Sequence, residues 1–296
     1  MLTFALGVVT RQWNLAIVGI VFSWITAAAM WQNFRARLPY LYDPWSETLP
    51  PPPTLMHALV AISLLVEGSA VLVTAAVAWV PRQEFAIARA MAYAVAATAV
   101  FLTTSWFLAG RGVAPNQVWT WIDGQPPTPR KDLTLDQYLA EPDISFAKKY
   151  GIAGGGLLPA LLLGLGIGLA LAGLAHGYTI LLRHIPALTE LLRNAQQAAT
   201  QLPGLRVAYL IMAVGFAPFA EEYLFRGLLY RALDRDWSGW RAVLGAAAFF
   251  TVYHPLLAWP PVFCVGAVNC WLFKRTRRLL PCILLHMTYN AVLLLR

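Results

Sequence analysis

Apolar residues along this chain gather into long blocks separated by polar stretches. Blocks over roughly 13–31, 56–80, 87–109, 152–182, 205–233, 241–257, 259–273 and 279–295 read as helices of bilayer-spanning scale. The pattern predicts an all-α fold, a polytopic transmembrane helix bundle of about eight helices. The pair over 241–273 is the least regular, because Pro255, Pro260 and Pro261 punctuate it. Residues 152–182 are rich in Gly and Ala, which allows close helix–helix approach in lipid.

Two polar segments interrupt the blocks. One covers 32–55 and ends in Pro50-Pro51-Pro52-Pro53. The other runs over about 110–151 and carries Trp119 and Trp121, whose rings suit the membrane interface. The stretch 184–204 reads as an amphipathic surface helix. The chain divides into 1–204, helices and polar loops with no recognisable motif, and 205–296, a helical core that carries the chemistry. No internal repeat is visible.

Composition agrees. The chain is 59% hydrophobic and 12% charged, about half the charge of a soluble domain. A net charge of +8 would suggest nucleic acid in a soluble protein. Here basic loops facing the cytoplasm and anionic lipid explain it, and no nucleic-acid partner is expected. Placing the 274–278 basic turn inside and alternating through eight helices puts most Lys and Arg inside and both termini outside. Cys264, Cys270 and Cys282 lie in apolar stretches without metal-ligand spacing and read as packing residues. The first residues lack the features of a removable signal peptide.

Charged side chains inside a membrane are costly and usually functional. They concentrate in FAPFAEEYLFRGLLY (216–230), FFTVYH (249–254) and HMTYN (286–290). Glu222 and Arg226 are four apart and share a helical face, whereas Glu221 is rotated from them by about 100°. Phe250 with His254, and His286 with Asn290, are also four apart. With a turn near 234–240, Glu221 and His254 lie at equal depth, about 18–20 Å from it. His286 and Asn290 lie about 12–18 Å from a turn on the same side. The matched depths point to one shared polar pocket inside the membrane. A carboxylate taken out of water is a stronger base, and a neighbouring imidazole can orient the water it activates. A second His and an Asn amide supply donors for a developing oxyanion. The set suits acyl hydrolysis by direct attack of water.

These three segments resemble the motifs of the CPBP intramembrane proteases, the family of CAAX proteases and bacteriocin-processing enzymes. Glu221-Glu222-Tyr-Leu-Phe-Arg226 fits EExxxR, Phe250-Thr-Val-Tyr-His254 fits FxxxH, and His286-Met-Thr-Tyr-Asn290 fits HxxxN, in the family's order and on three apolar helices. The resemblance covers about 205–295. It implies Glu221 and His254 as the water-activating pair, His286 and Asn290 as the oxyanion site, and Glu222, Arg226 and Phe250 as support. It further implies an endopeptidase acting on a peptide or protein substrate anchored in the bilayer, without a cofactor. The expected location is a multi-pass position in a bacterial inner membrane.

Zinc is the second reading, since two His and a Glu could supply three ligands. No HExxH is present, and the first motif carries carboxylates where a zincin carries His. A non-catalytic immunity or scaffold protein would tolerate loss of one member of the set, and none is missing. A transporter would more often show paired half-chain repeats. Taken alone, Glu222–Arg226 reads more readily as a structural ion pair than as direct chemistry. Glu67, inside the second apolar block, is given no catalytic role.

Overall fold

In a computed structural model of the chain, the described residues are 55–81, 84–110, 118–119, 157–186, 188–190, 193, 204–237 and 239–295. Among them every regular element is helical and no strand occurs. The helices are α1 (Leu55–Trp79), α2 (Phe85–Gly110), α3 (Leu157–Leu182), α4 (205–236), α5 (Gly239–Val252), α6 (Trp259–Thr276) and α7 (Leu279–Leu295). The helix expected at 13–31 and most of the amphipathic stretch at 184–204 lie outside the described residues.

The hydrophobic blocks that fall among the described residues become helices within a few residues of their sequence limits. The exception is α5, which stops at Val252 rather than near 257. Pro255 has no N–H to continue the ladder and forces the residue before it out of the helical region. A 3₁₀ turn, Leu256–Ala258, then leads into α6. Five segments are long and apolar enough to cross a membrane: Leu55–Ala76, Phe85–Leu108, Leu157–Leu182, Leu205–Asp234 and Leu256–Thr276, with α5 and α7 shorter. The protein is an integral membrane protein built as a helical bundle.

α4 is the axis of this bundle. Every residue of its Tyr223–Tyr230 stretch is buried, and a helix apolar on all sides belongs inside a bundle. α1 and α2 pack on it from one side, and α5, α6 and α7 from others. α3 lies along α7. There Gly164 and Gly168, four apart, meet the backbone of α7: a Cβ on Gly168 would sit 2.6 Å from the Leu285 carbonyl oxygen, and one on Gly164 would collide with the Pro281 carbonyl. Gly166 and Gly173 touch nothing, and Leu158, Leu162, Leu169 and Leu174 of the same helix are exposed to lipid. The Gly-rich block thus acts as the sequence implies, through two positions on one face.

Trp119 makes contacts that its place in a polar segment does not reveal. Its ring packs against Phe101 of α2 at 6.0 Å, edge-on, and lies 6.1 Å from Tyr223. Its neighbour Val118 is fully buried against Gly227, where a Cβ would approach Val118 to 2.7 Å. Val118 is therefore wedged inward, because Gly227 leaves room for it.

Candidate active site

The local structure of α4 begins with Pro218. It lacks the N–H that would bond the Val214 carbonyl, and the preceding Ile211–Phe216 widens into a π-helix in which the Ala217 N–H bonds Met212 instead of Ala213. The Ala213 carbonyl is thereby released, and Asn290 Nδ2 donates to it at 2.6 Å. A second π-helical stretch, Tyr223–Tyr230, follows directly after the two glutamates. The turn that carries Glu221 and Glu222 is thus bracketed by widened helix, an arrangement common at functional sites.

The two glutamates differ sharply. Glu222 is fully buried and its Oε1 accepts three hydrogen bonds: from Arg226 Nη1 at 3.0 Å, Asn269 Nδ2 at 3.0 Å and His286 Nδ1 at 2.8 Å. Arg226, also buried, donates from Nη2 to the Gly266 carbonyl at 3.2 Å and lies over the Phe250 ring at 4.3 Å. Gly266 also lets α6 pack closely on α5, since a Cβ there would crowd Ala247 at 3.1–3.2 Å. Asn269 spends its amide on Glu222 and on the Cys282 carbonyl at 3.3 Å. One carboxylate so joins α4, α6 and α7.

The hub also sets the state of His286. Glu222 Oε1 already accepts from Arg226 and Asn269, so Nδ1 of His286 carries the hydrogen and donates it to the same oxygen. Nε2 then faces Glu221, 3.8 Å from Oε2. That distance exceeds a direct hydrogen bond and suits a bridging water. The other oxygen, Glu221 Oε1, accepts from the Tyr93 hydroxyl of α2 at 2.6 Å. Glu221 and His286 are each 4% exposed, which amplifies electrostatic effects between them.

His254 is oriented by the end of α5. Its backbone N–H bonds Thr251 at 2.9 Å, leaving the Phe250 carbonyl without its usual partner. The His254 Nδ1–H takes that carbonyl at 2.8 Å, so Nε2 is the basic nitrogen. The ring lies 4.3 Å from Tyr253 and 4.9 Å from Phe250. Phe250 is buried and also meets the His286 ring edge-on at 5.6 Å. The structure therefore gathers Glu221, Glu222, Arg226, Phe250, His254 and His286. Asn290, on the same helix as His286, donates from Nδ2 to the Ala213 carbonyl.

Among the described residues no three His, Cys, Asp or Glu side chains are grouped so as to hold a metal ion. The Nδ1 of His286 is committed to Glu222. The thiols of Cys270 and Cys282 are buried and unpaired by disulfide.

Residues 203–292 match the family model for type II CAAX prenyl endopeptidases, Rce1-like. The UPF0177 protein YbdI of Lactococcus lactis subsp. lactis (strain IL1403) is 31% identical over 134 residues, covering 44% of this chain and 70% of that protein. No solved structure matches. The chain belongs to the CPBP family of intramembrane proteases. In this CPBP chain the matched region holds Glu221, Glu222, Arg226, His254, His286 and Asn290. At the level of the family, its activity is peptide-bond hydrolysis by a membrane-embedded CAAX-type protease.

Three site residues carry no signal in the motifs. Asn269 is a lone amide in an apolar helix, and the cost of a polar group in lipid could have marked it. Tyr253 precedes His254 and passes as packing. Tyr93 lies outside the matched region, in an Ala-rich helix where nothing in the pattern distinguishes it from an interfacial tyrosine.

Proposed function

We propose that this protein is a glutamic-type intramembrane endopeptidase in which Glu221 activates water. The observation that carries the reading is the division of labour between adjacent acids: Glu222 Oε1 is saturated by three donors, while Glu221 turns Oε2 toward His286 Nε2 at 3.8 Å. In the proposed reaction Glu221, aided by the free Nε2 of His254, takes a proton from water as its oxygen attacks the scissile carbonyl carbon. To donate to the oxyanion from Nε2 while its Nδ1–H stays on Glu222, His286 acts as the imidazolium with Glu222 balancing its charge, and the second N–H of Asn290 donates beside it. The proton passes to the departing amine as the C–N bond breaks, giving one carboxylic acid and one amine. No metal enters these steps.

The substrate we propose is the tail of a membrane-anchored protein, either a prenylated CaaX terminus or a bacterial leader or sorting peptide. The site is proposed to lie in a bacterial cytoplasmic membrane. The test is twofold. Purified protein is incubated with a farnesylated CaaX peptide, and protein termini in membranes of cells carrying the parent or Glu221→Gln are compared. Cleavage products that depend on Glu221 support the reading; identical termini together with an uncleaved peptide refute it in favour of a binding role.

A further inference from the structure

We propose that Tyr93 is a positioning residue of the proteolytic site, so that the helices preceding the matched region complete the active site rather than merely anchoring it. This rests on the assignment of Glu221 as the base. Tyr93 O–H donates to Glu221 Oε1 at 2.6 Å, across 128 positions of sequence. A donor at that distance from a carboxylate makes a strong, charge-assisted hydrogen bond. By holding Oε1 it fixes the rotation of the carboxylate and turns Oε2 toward His286.

The surroundings of Tyr93 are built for this reach. Ala90, Ala94 and Ala97 of α2 are buried at helical spacing on one face, and small side chains let two backbones approach closely in lipid. α2 packs there against the 217–222 turn that carries the glutamates. Tyr93 is the polar side chain in this small-residue face. Its hydroxyl has one hydrogen, which goes to Glu221. The Tyr253 hydroxyl, 3.3 Å away, therefore donates either to the Tyr93 oxygen or to the same carboxylate. Tyr253 is in turn fixed by stacking on Phe225 at 5.6 Å and 5°. The base is thereby held through α2 as well as through its own helix.

The experiment compares the parent, Tyr93→Phe and Tyr253→Phe in one detergent, by cleavage of a farnesylated CaaX peptide and by infrared spectroscopy. The Glu221 carboxyl band is assigned by its loss in Glu221→Gln. In Tyr93→Phe that band shifts, and kcat falls by about 10–100-fold with KM within about twofold of the parent, the scale of one strong hydrogen bond to a charge. Tyr253→Phe moves both in the same direction by less. An unmoved Glu221 band in Tyr93→Phe overturns the proposal, as does parental kcat with a lowered melting temperature. If the parent leaves the peptide uncleaved, the choice of substrate fails and the infrared result alone decides the role of Tyr93.

Discussion

His286 Nδ1 donates to Glu222 Oε1 at 2.8 Å, in the same oxygen shell as Arg226 and Asn269. This bond ties the second glutamate of the pair to structure and to the orientation of the histidine. It leaves the first glutamate, one residue earlier and about 100° around the helix, to face His286 from the other side. Adjacent, chemically identical side chains thus acquire different duties from the partners each face of α4 meets.

Breaking the hub from its cationic side should be costly. Arg226→Ala leaves Glu222 buried without its ion-pair partner, and removing one member of a buried pair costs about 3–5 kcal/mol. Glu222→Gln combined with Arg226→Met leaves no unpaired charge and should recover part of that loss. Melting temperatures in a single detergent check both. An Arg226→Ala protein that melts like the parent would move Arg226 from structure to substrate recognition.

Two glycines of α3 should respond oppositely to the same substitution. At Gly168 an added Cβ meets Leu285 O at 2.6 Å and Thr288 Cβ at 2.9 Å, so Gly168→Ala should destabilise by about 1–3 kcal/mol. It should also displace α7, which carries His286, and lower activity. At Gly166 nothing lies within 4 Å, and Gly166→Ala should be neutral or gain up to about 1 kcal/mol in helix propensity. Thermal unfolding and peptide cleavage of the two variants read the difference.

Asn290 tests how one amide serves both fold and site. Asn290→Ala leaves the Ala213 carbonyl, freed by the π-helix, without its 2.6 Å donor. The expected cost is about 1 kcal/mol for a half-buried acceptor left unpaired, with activity falling further than stability alone explains. A variant with lowered melting temperature but parental kcat would restrict Asn290 to the structural role.

Much of this was legible in the sequence. The helices follow from unbroken apolar blocks, and the pairing of Glu222 with Arg226 follows from their four-residue spacing. The aromatic wall around Arg226 and the part played by Gly266 depend on tertiary contacts between α4, α5 and α6. The π-helical widening around Pro218 shifts backbone registry by one residue, a change that side-chain periodicity does not encode. Tyr93 was invisible because its function comes from α2 reaching a residue 128 positions away. The inward packing of Val118 was hidden because sequence cannot show that Gly227 opens a slot beside it.

Metal content separates the two hydrolytic readings of the site. If Glu221 and His254 activate water unaided, cleavage should be unchanged after prolonged treatment with a strong chelator, and purified protein should contain far less than one zinc per chain. Zinc and activity lost together on chelation and regained together on its return would instead establish a metalloprotease.

The central claim is that Glu221, and not its neighbour, performs the chemistry. Its most direct test is the cleavage rate of purified Glu221→Gln on a peptide that the parent cleaves. Glutamine keeps the side chain's shape and still offers an oxygen to Tyr93, but it cannot accept the proton from water. The account predicts a rate lower by about 10²–10⁴-fold, the usual scale of a lost general base, in a protein that melts at or above the parental temperature. Glu221→Gln cleaving at the parental rate would contradict it.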